Sequence, residues 1–191
     1  FLYEQHLPRR QVAIKVLHPQ VVNPRVRDMF QAESQLMPQL STHPSILTVF
    51  EAGVSHDGRP YVVTEVCSSG YGERFRAESI PVAEVVRTGI RIAAALETAH
   101  RANVLHRDIK PGNILVTAYG HPVLSDFGIA ASVYRGEDTQ AVGLSVPWSA
   151  PEVIRENTTG TTASEVWSLA ATMYSLLAGR TPFEIAGKDN S

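Results

Sequence analysis

The hydrophobic period of this chain is mostly two in its first third and helical afterwards, and that order restricts the fold strongly. Gln11-Val12-Ala13-Ile14-Lys15-Val16-Leu17 alternates with period two, putting Val12, Ile14 and Val16 on one face and Ala13, Lys15 and Leu17 on the other. This pattern predicts a strand. Residues 46–50 and 61–66 predict two more, joined by a turn at His56-Asp57-Gly58. Asn23-Pro24 reads as the N-cap and first position of an intervening helix. Its Val26, Met29, Phe30, Met37 and Leu40 form an apolar stripe, and Pro38 ends the regular helix near Met37. The polar run Ser68-Ser69-Gly70 then breaks the pattern. Beyond it a long helix is predicted over 81–100, carrying Val82, Val85, Val86, Ile90, Ala93, Ala94 and Leu96. A buried helix follows over 164–178, closed by Gly179. Strands first and helices after predict an α+β, two-lobed molecule. Residues 1–67 would be a small lobe of strands plus a helix, and 68–191 a mainly helical large lobe.

With 191 residues and 43% hydrophobic content, the chain can bury the core of one compact domain or two small lobes. A formal net charge of -2 gives no reason to expect a nucleic-acid partner. The single cysteine, Cys67, excludes an internal disulfide and suits a reducing, cytoplasmic setting. No signal-peptide pattern opens the chain. The longest apolar stretch, 166–178, contains Ser168, Thr172 and Ser175 and is too short and polar for a bilayer span. No membrane contact is expected from this segment, while an anchor elsewhere in a longer parent is left open.

Glu33 falls on the apolar stripe of the first helix, where an isolated charge is too costly, so a cationic partner is expected. The densest polar signal is His106-Arg107-Asp108-Ile109-Lys110-Pro111-Gly112-Asn113. Asp126-Phe127-Gly128 follows, behind apolar Val123-Leu124; Val12-Ala13-Ile14-Lys15 lies upstream and Ala150-Pro151-Glu152 downstream. Singly each is weak. In this order together they resemble the signature set of protein kinases. Over essentially the whole chain the sequence looks most like the bacterial Ser/Thr kinases of eukaryotic type, such as those of actinobacteria.

That resemblance implies a two-lobed kinase fold and transfer of the γ-phosphate of ATP to Ser/Thr hydroxyls on a protein substrate, the chain's own activation segment included. Asp108 matches the residue that accepts or orients the hydroxyl proton, and Lys110 the lysine that contacts the γ-phosphate. Lys15 would reach the α- and β-phosphates, held there by Glu33. Asn113 and Asp126 match the oxygen ligands of Mg²⁺ (or Mn²⁺). Ala13, Val66 and Leu115 would sandwich the adenine, the backbone of Glu65 and Cys67 would bond it, and Thr64 would stand as gatekeeper. His106, Phe127, Met37 and Val49 match the stacked spine linking the lobes. Arg107 would pair with a phosphate on the segment 126–152, with Thr139 the expected acceptor. Ser145 would contact Asp108 and Lys110. A homodimer of the parent is compatible with the resemblance.

Two positions depart from the family pattern. Glu165 stands where an aspartate normally anchors the catalytic-loop backbone, and Leu144 where a glycine is usual. The resemblance also implies a domain cut at both ends, lacking the glycine-rich loop and the last helices, with apolar faces uncovered and little activity of its own. Two other readings compete. A pseudokinase would signal by shape, yet Lys15, Asp108 and Asp126 all stand. A small-molecule kinase shares the core, yet Lys110 and the peptide-docking segment ending in Ala150-Pro151-Glu152 speak against it.

Overall fold

The computed structural model describes residues 1–6, 9–19, 22, 30, 39–127 and 145–184. The period-two stretch forms the strand β2 (Arg9–Val16), with Val12 buried and Lys15 exposed on the opposite face. It lies between β1 (Leu2–His6) and β4 (Pro60–Thr64), and β3 (Val49–Val54) completes an antiparallel sheet of order β1-β2-β4-β3. Ala13 faces Thr64 across the β2–β4 ladder and Lys15 faces Val62. The turn at 55–59 is tied by the Ser55 N–H to the Arg59 carbonyl at 2.9 Å, with Gly58 at φ 79°.

The strand expected at 46–50 begins only at Val49. Residues 45–47 have another use: Leu124 donates its N–H to the Ser45 carbonyl, and Leu47 donates to the Leu124 carbonyl. Pairing partners, rather than hydrophobicity, set where a strand starts. Of the expected helical stripe, Phe30 and Leu40 are buried; Val26, Met29, Met37 and Glu33 lie outside the described residues.

The second sheet is β5 (Cys67–Gly70), β6 (Ile114–Thr117) and β7 (Pro122–Leu124), in that order. The polar run 68–70, expected as a break, is therefore a strand. Cys67, assigned to the small lobe on sequence, pairs with Thr117 of the second sheet. The chain changes sheet at Glu65–Val66. A short helix, α1 (Tyr71–Ala77), follows and has no counterpart in the sequence reading. Seven residues give little intrinsic helicity, so α1 depends on burying Tyr71 and Phe75. The Tyr71 hydroxyl and Arg74 guanidinium both donate to Glu84 at 2.8 Å, which fastens α1 to the next helix.

That helix, α2 (Val82–Arg101), buries Val85, Thr88, Ile92, Ala95, Leu96 and Ala99 at spacings of three and four. Val82, Val86 and Ile90 point outward, so the helix is apolar on both sides and composition alone did not identify the inner one. A one-turn helix, α3 (Pro151–Ile154), precedes α4 (Thr162–Ala178). Thr161 caps α4 in a reciprocal box with Ser164, and Gly179 ends it at φ 68°. The sequence reading made α4 a buried helix; it is buried on one side only, and mostly through Ser164, Glu165, Thr172 and Ser175. Val166, Trp167, Tyr174 and Leu177 are exposed. The inward side is polar because it meets hydrogen-bonding partners: Thr172 donates to the Ile109 carbonyl, and Ser175 Oγ accepts from the Trp148 indole at 3.0 Å. Among the described residues no helix is long and apolar enough to cross a membrane.

Candidate active site

The loop between α2 and β6 carries the densest sequence motif, and its His106, Asp108, Lys110 and Asn113 side chains each have a defined partner. His106 is fully buried. Its Nδ1 accepts the Asp108 N–H at 3.2 Å and its Nε2 stands 2.7 Å from the Ser125 carbonyl. An accepting Nδ1 and a donating Nε2 define a neutral ring, and burial pushes its pKa down from the usual histidine value. The ring packs edge-on against Phe127, centroids 4.7 Å apart. The loop is thereby locked to the Asp126-Phe127 turn from within.

Asp108 is the convergence point. Asn113 donates its side-chain amide to both the carbonyl and Oδ2 of Asp108, at 2.6 and 2.8 Å. Lys110 Nζ lies 2.8 Å from Oδ2. The Ser145 hydroxyl donates to Oδ1 at 2.7 Å while accepting from Lys110 Nζ at 2.7 Å. A carboxylate gripped on both oxygens, yet partly open to solvent, is aimed rather than neutralised.

Behind it, Glu165 anchors the loop. Its Oε1 accepts the Arg107 N–H at 2.6 Å, so the longer side chain still reaches the backbone it was expected to hold. Its Oε2 lies 2.6 Å from His100 Nε2. His100 was not singled out on sequence, because a histidine in the last turn of a helix is unremarkable and its partner lies 65 residues away.

Lys15 on β2 reaches Asp126, Nζ to Oδ1 at 2.6 Å. Glu33, expected as its partner, lies outside the described residues, as do Thr139 and Leu144. Arg107 is exposed, with φ at 68°. Lys15, Val49, Thr64, Leu115, Asp126 and Phe127 contribute to a mostly apolar cavity of about 180 Å³. Ala13, Glu65, Val66 and Cys67 are not among its lining. Glu65 is engaged with Thr48 instead: its N–H donates to the Thr48 carbonyl at 3.1 Å and its carboxylate accepts the Thr48 N–H at 2.9 Å. The Cys67 thiol is pushed up to about 11, chiefly by burial, and is not a thiolate near neutrality.

Lys15 with Asp126, and Asp108 with Asn113, Lys110 and Ser145, are the two charged clusters here, on residues that carry the resemblance to protein kinases. Comparison with known proteins agrees. The protein kinase domain family matches residues 3–191. The serine/threonine-protein kinase PknK of Mycobacterium tuberculosis is 40% identical over 178 residues, covering 92% of this chain and 16% of PknK. PknK of Mycobacterium bovis matches to the same extent. The crystal structure of the Mycobacterium tuberculosis PknI kinase domain superposes with a TM-score of 0.73 at 28% identity, covering 92% of this chain and 66% of that one. The chain belongs to the protein kinase family and spans about a sixth of the length of PknK.

Proposed function

We propose that this chain supplies the ATP-dependent phosphotransfer of its parent protein, with protein Ser/Thr hydroxyls as acceptors and Thr139 as an autophosphorylation site that pairs with Arg107. The observation that carries this reading is the Asp108 carboxylate, held by Asn113, Lys110 and Ser145 at 2.7–2.8 Å. Phosphoryl transfer asks little covalent work of a protein and much positioning. Asp108 takes up or orients the proton of the attacking hydroxyl. Lys110 sits where it can neutralise charge on the transferred group, and Lys15 serves the same end at the remaining phosphates.

The residues present fit a divalent cation. Asn113 spends its amide N–H groups on Asp108, which turns its carbonyl oxygen into the acceptor left for another partner, and Asp126 adds a carboxylate. Two hard oxygens suit Mg²⁺ or Mn²⁺; Asn113 and Asp126 would hold the ion, which would supply positive charge against the charge of the phosphates. Leu115, which lines the cavity, and Ala13 and Val66 are assigned to the adenine, together with the backbone of Glu65 and Cys67, and Thr64, also on the lining, is assigned as gatekeeper. Residues 1–67 and 68–191 act as the two lobes. Action in the cytoplasm, where ATP is supplied, and a homodimer of the parent belong to the same reading.

The test is radiolabel transfer from ATP in the complete parent protein and in its Asp108→Asn variant. Phosphoserine or phosphothreonine made only by the unaltered chain supports the reading. Nucleotide binding without transfer in either protein overturns it in favour of a pseudokinase.

A further inference from the structure

Gly70 at the N-cap of α1 offers no side chain, and a helix this short does not sustain itself. Its seat is supplied from outside, by Glu84 in the first turn of α2. One oxygen, Glu84 Oε1, accepts both the Tyr71 hydroxyl and the Arg74 guanidinium at 2.8 Å. The Tyr71 ring is buried, so its hydroxyl needs a partner within the protein. That hydroxyl also lies 3.0 Å from Thr88 Oγ1; with its one proton given to Glu84, it accepts from Thr88. The bond from Arg74 holds the Glu84 pKa below the ordinary glutamate value, so the fastening is charged near neutrality. Arg74 also pairs with Glu78, but Glu78 is the C-cap of α1 itself and ties the helix to nothing else.

Two contacts lead from α1 to the groups that aim Asp108. At Gly72 a Cβ would lie 3.0 Å from the Gly112 Cα, so backbone meets backbone with no side chain between. Gly112 is the middle residue of a one-turn 3₁₀ helix, Pro111–Asn113, and Asn113 holds Asp108 Oδ2 at 2.8 Å. At Phe75 the ring packs edge-on against Trp148, centroids 6.4 Å apart. The Trp148 N–H donates to the Ser145 carbonyl at 2.9 Å, and the Ser145 hydroxyl holds Asp108 Oδ1. Both oxygens of Asp108 therefore have α1 behind them. Close-packed contacts of this kind pass a small displacement on rather than absorb it.

We propose that Glu84 is a positioning residue of the transfer reaction: by seating α1 it braces the turns that carry Asn113 and Ser145, and so keeps Asp108 aimed. The proposal rests on the phosphotransfer reading for its consequence, while its first link, from Glu84 to α1, is open to test without catalysis.

The complete parent protein is compared with its Glu84→Ala, Glu78→Ala and Gly72→Ala variants and with the double variant Glu84→Ala/Gly72→Ala. Amide exchange over residues 71–78 and kcat at saturating ATP are measured where circular dichroism shows each variant folded. Glu84→Ala is expected to raise exchange about tenfold and to lower kcat by about 3- to 10-fold, while Glu78→Ala leaves both within about twofold. The double variant separates positioning from plain stability. In Gly72→Ala alone the added methyl presses on Gly112 and lowers kcat. With α1 unseated the helix yields, so the combined loss is smaller than the product of the two single losses. A residue that only stabilised the fold would lower the urea midpoint and leave the kcat of folded protein unchanged. Should Glu84→Ala not fold, Arg74→Gln, which breaks the same fastening from the other side, replaces it in each arm. Unchanged exchange over 71–78, an unchanged kcat, Glu78→Ala as damaging as Glu84→Ala, or losses that multiply in the double variant would each overturn the proposal. Were the unaltered protein to transfer no phosphate, the kinase reading would fail on that ground, and unchanged exchange would still sink the role of Glu84.

Discussion

Replacing Ser145 by alanine removes one hydroxyl that serves two charged partners. The Ser145 Oγ donates to Asp108 Oδ1 and accepts from Lys110 Nζ, both at 2.7 Å. A hydrogen bond to a charged group contributes about 1.5–3 kcal/mol. Here the figure must be reduced. The side chains of Asp108 and Lys110 are 15% and 29% exposed, so water replaces part of what is lost, and their direct 2.8 Å contact survives. A loss of about 1–2 kcal/mol in aiming the carboxylate remains. At about 1.36 kcal/mol per factor of ten, this is a fall of about 5- to 30-fold in kcat. The assay is the initial rate of phosphate transfer at saturating ATP and protein acceptor, with Asp108→Asn as background. Ser145→Thr keeps the hydroxyl and is expected to keep most of the rate. Ser145→Ala within about twofold of the unaltered kcat would refute the reasoning, since the bridge would then contribute nothing to the barrier.

Loss of the reciprocal cap in Thr161→Ala should lower stability by about 1 kcal/mol in urea unfolding, with the slope of the transition unchanged. With its thiol pushed up to about 11, Cys67 should react with iodoacetamide at pH 8 far more slowly than a free cysteine, and become comparable only on unfolding. His106 stays neutral when folded but takes a proton at about pH 6.5 when unfolded, so its contribution is complete above that pH and is lost on acidification. Unfolding midpoints should therefore fall between pH 7.5 and 5.5, and less steeply in His106→Phe; equal slopes would mean the folded ring titrates normally.

What the sequence made legible was whatever is decided locally. The end of α4 followed from Gly179 alone, and its start missed by two residues because the capping pair Thr161 and Ser164 was not recognised. The motif 106–113 declared its chemistry through order and spacing, and Ser145 was expected beside Asp108 and Lys110, where its distances put it. Hidden from the sequence was whatever depends on a distant partner. Strand β3 starts at Val49 because Leu124 claims residues 45–47. Helix α1 exists because Tyr71 and Phe75 find a core. The outward turn of Val82, Val86 and Ile90 is decided by what packs on the other side of α2. Glu165 was noticed as a departure from pattern, but no periodicity links it to His100.

The grip of Leu124 on Ser45 and Leu47 has a mechanical consequence. It makes residues 45–47 passengers of the second sheet, although they lie in sequence between strands β2 and β3 of the first. Among the described residues the chain passes between this stretch and the first sheet at Thr48, and leaves the first sheet again at Glu65. These are not separate, because each donates a backbone N–H to the other residue, Thr48 to the Glu65 carboxylate and Glu65 to the Thr48 carbonyl. The two passages are therefore stapled to one another, so a displacement at Thr48 is shared by Glu65 and, through the β4 ladder that Glu65 follows, by the strand that carries Lys15 to Asp126.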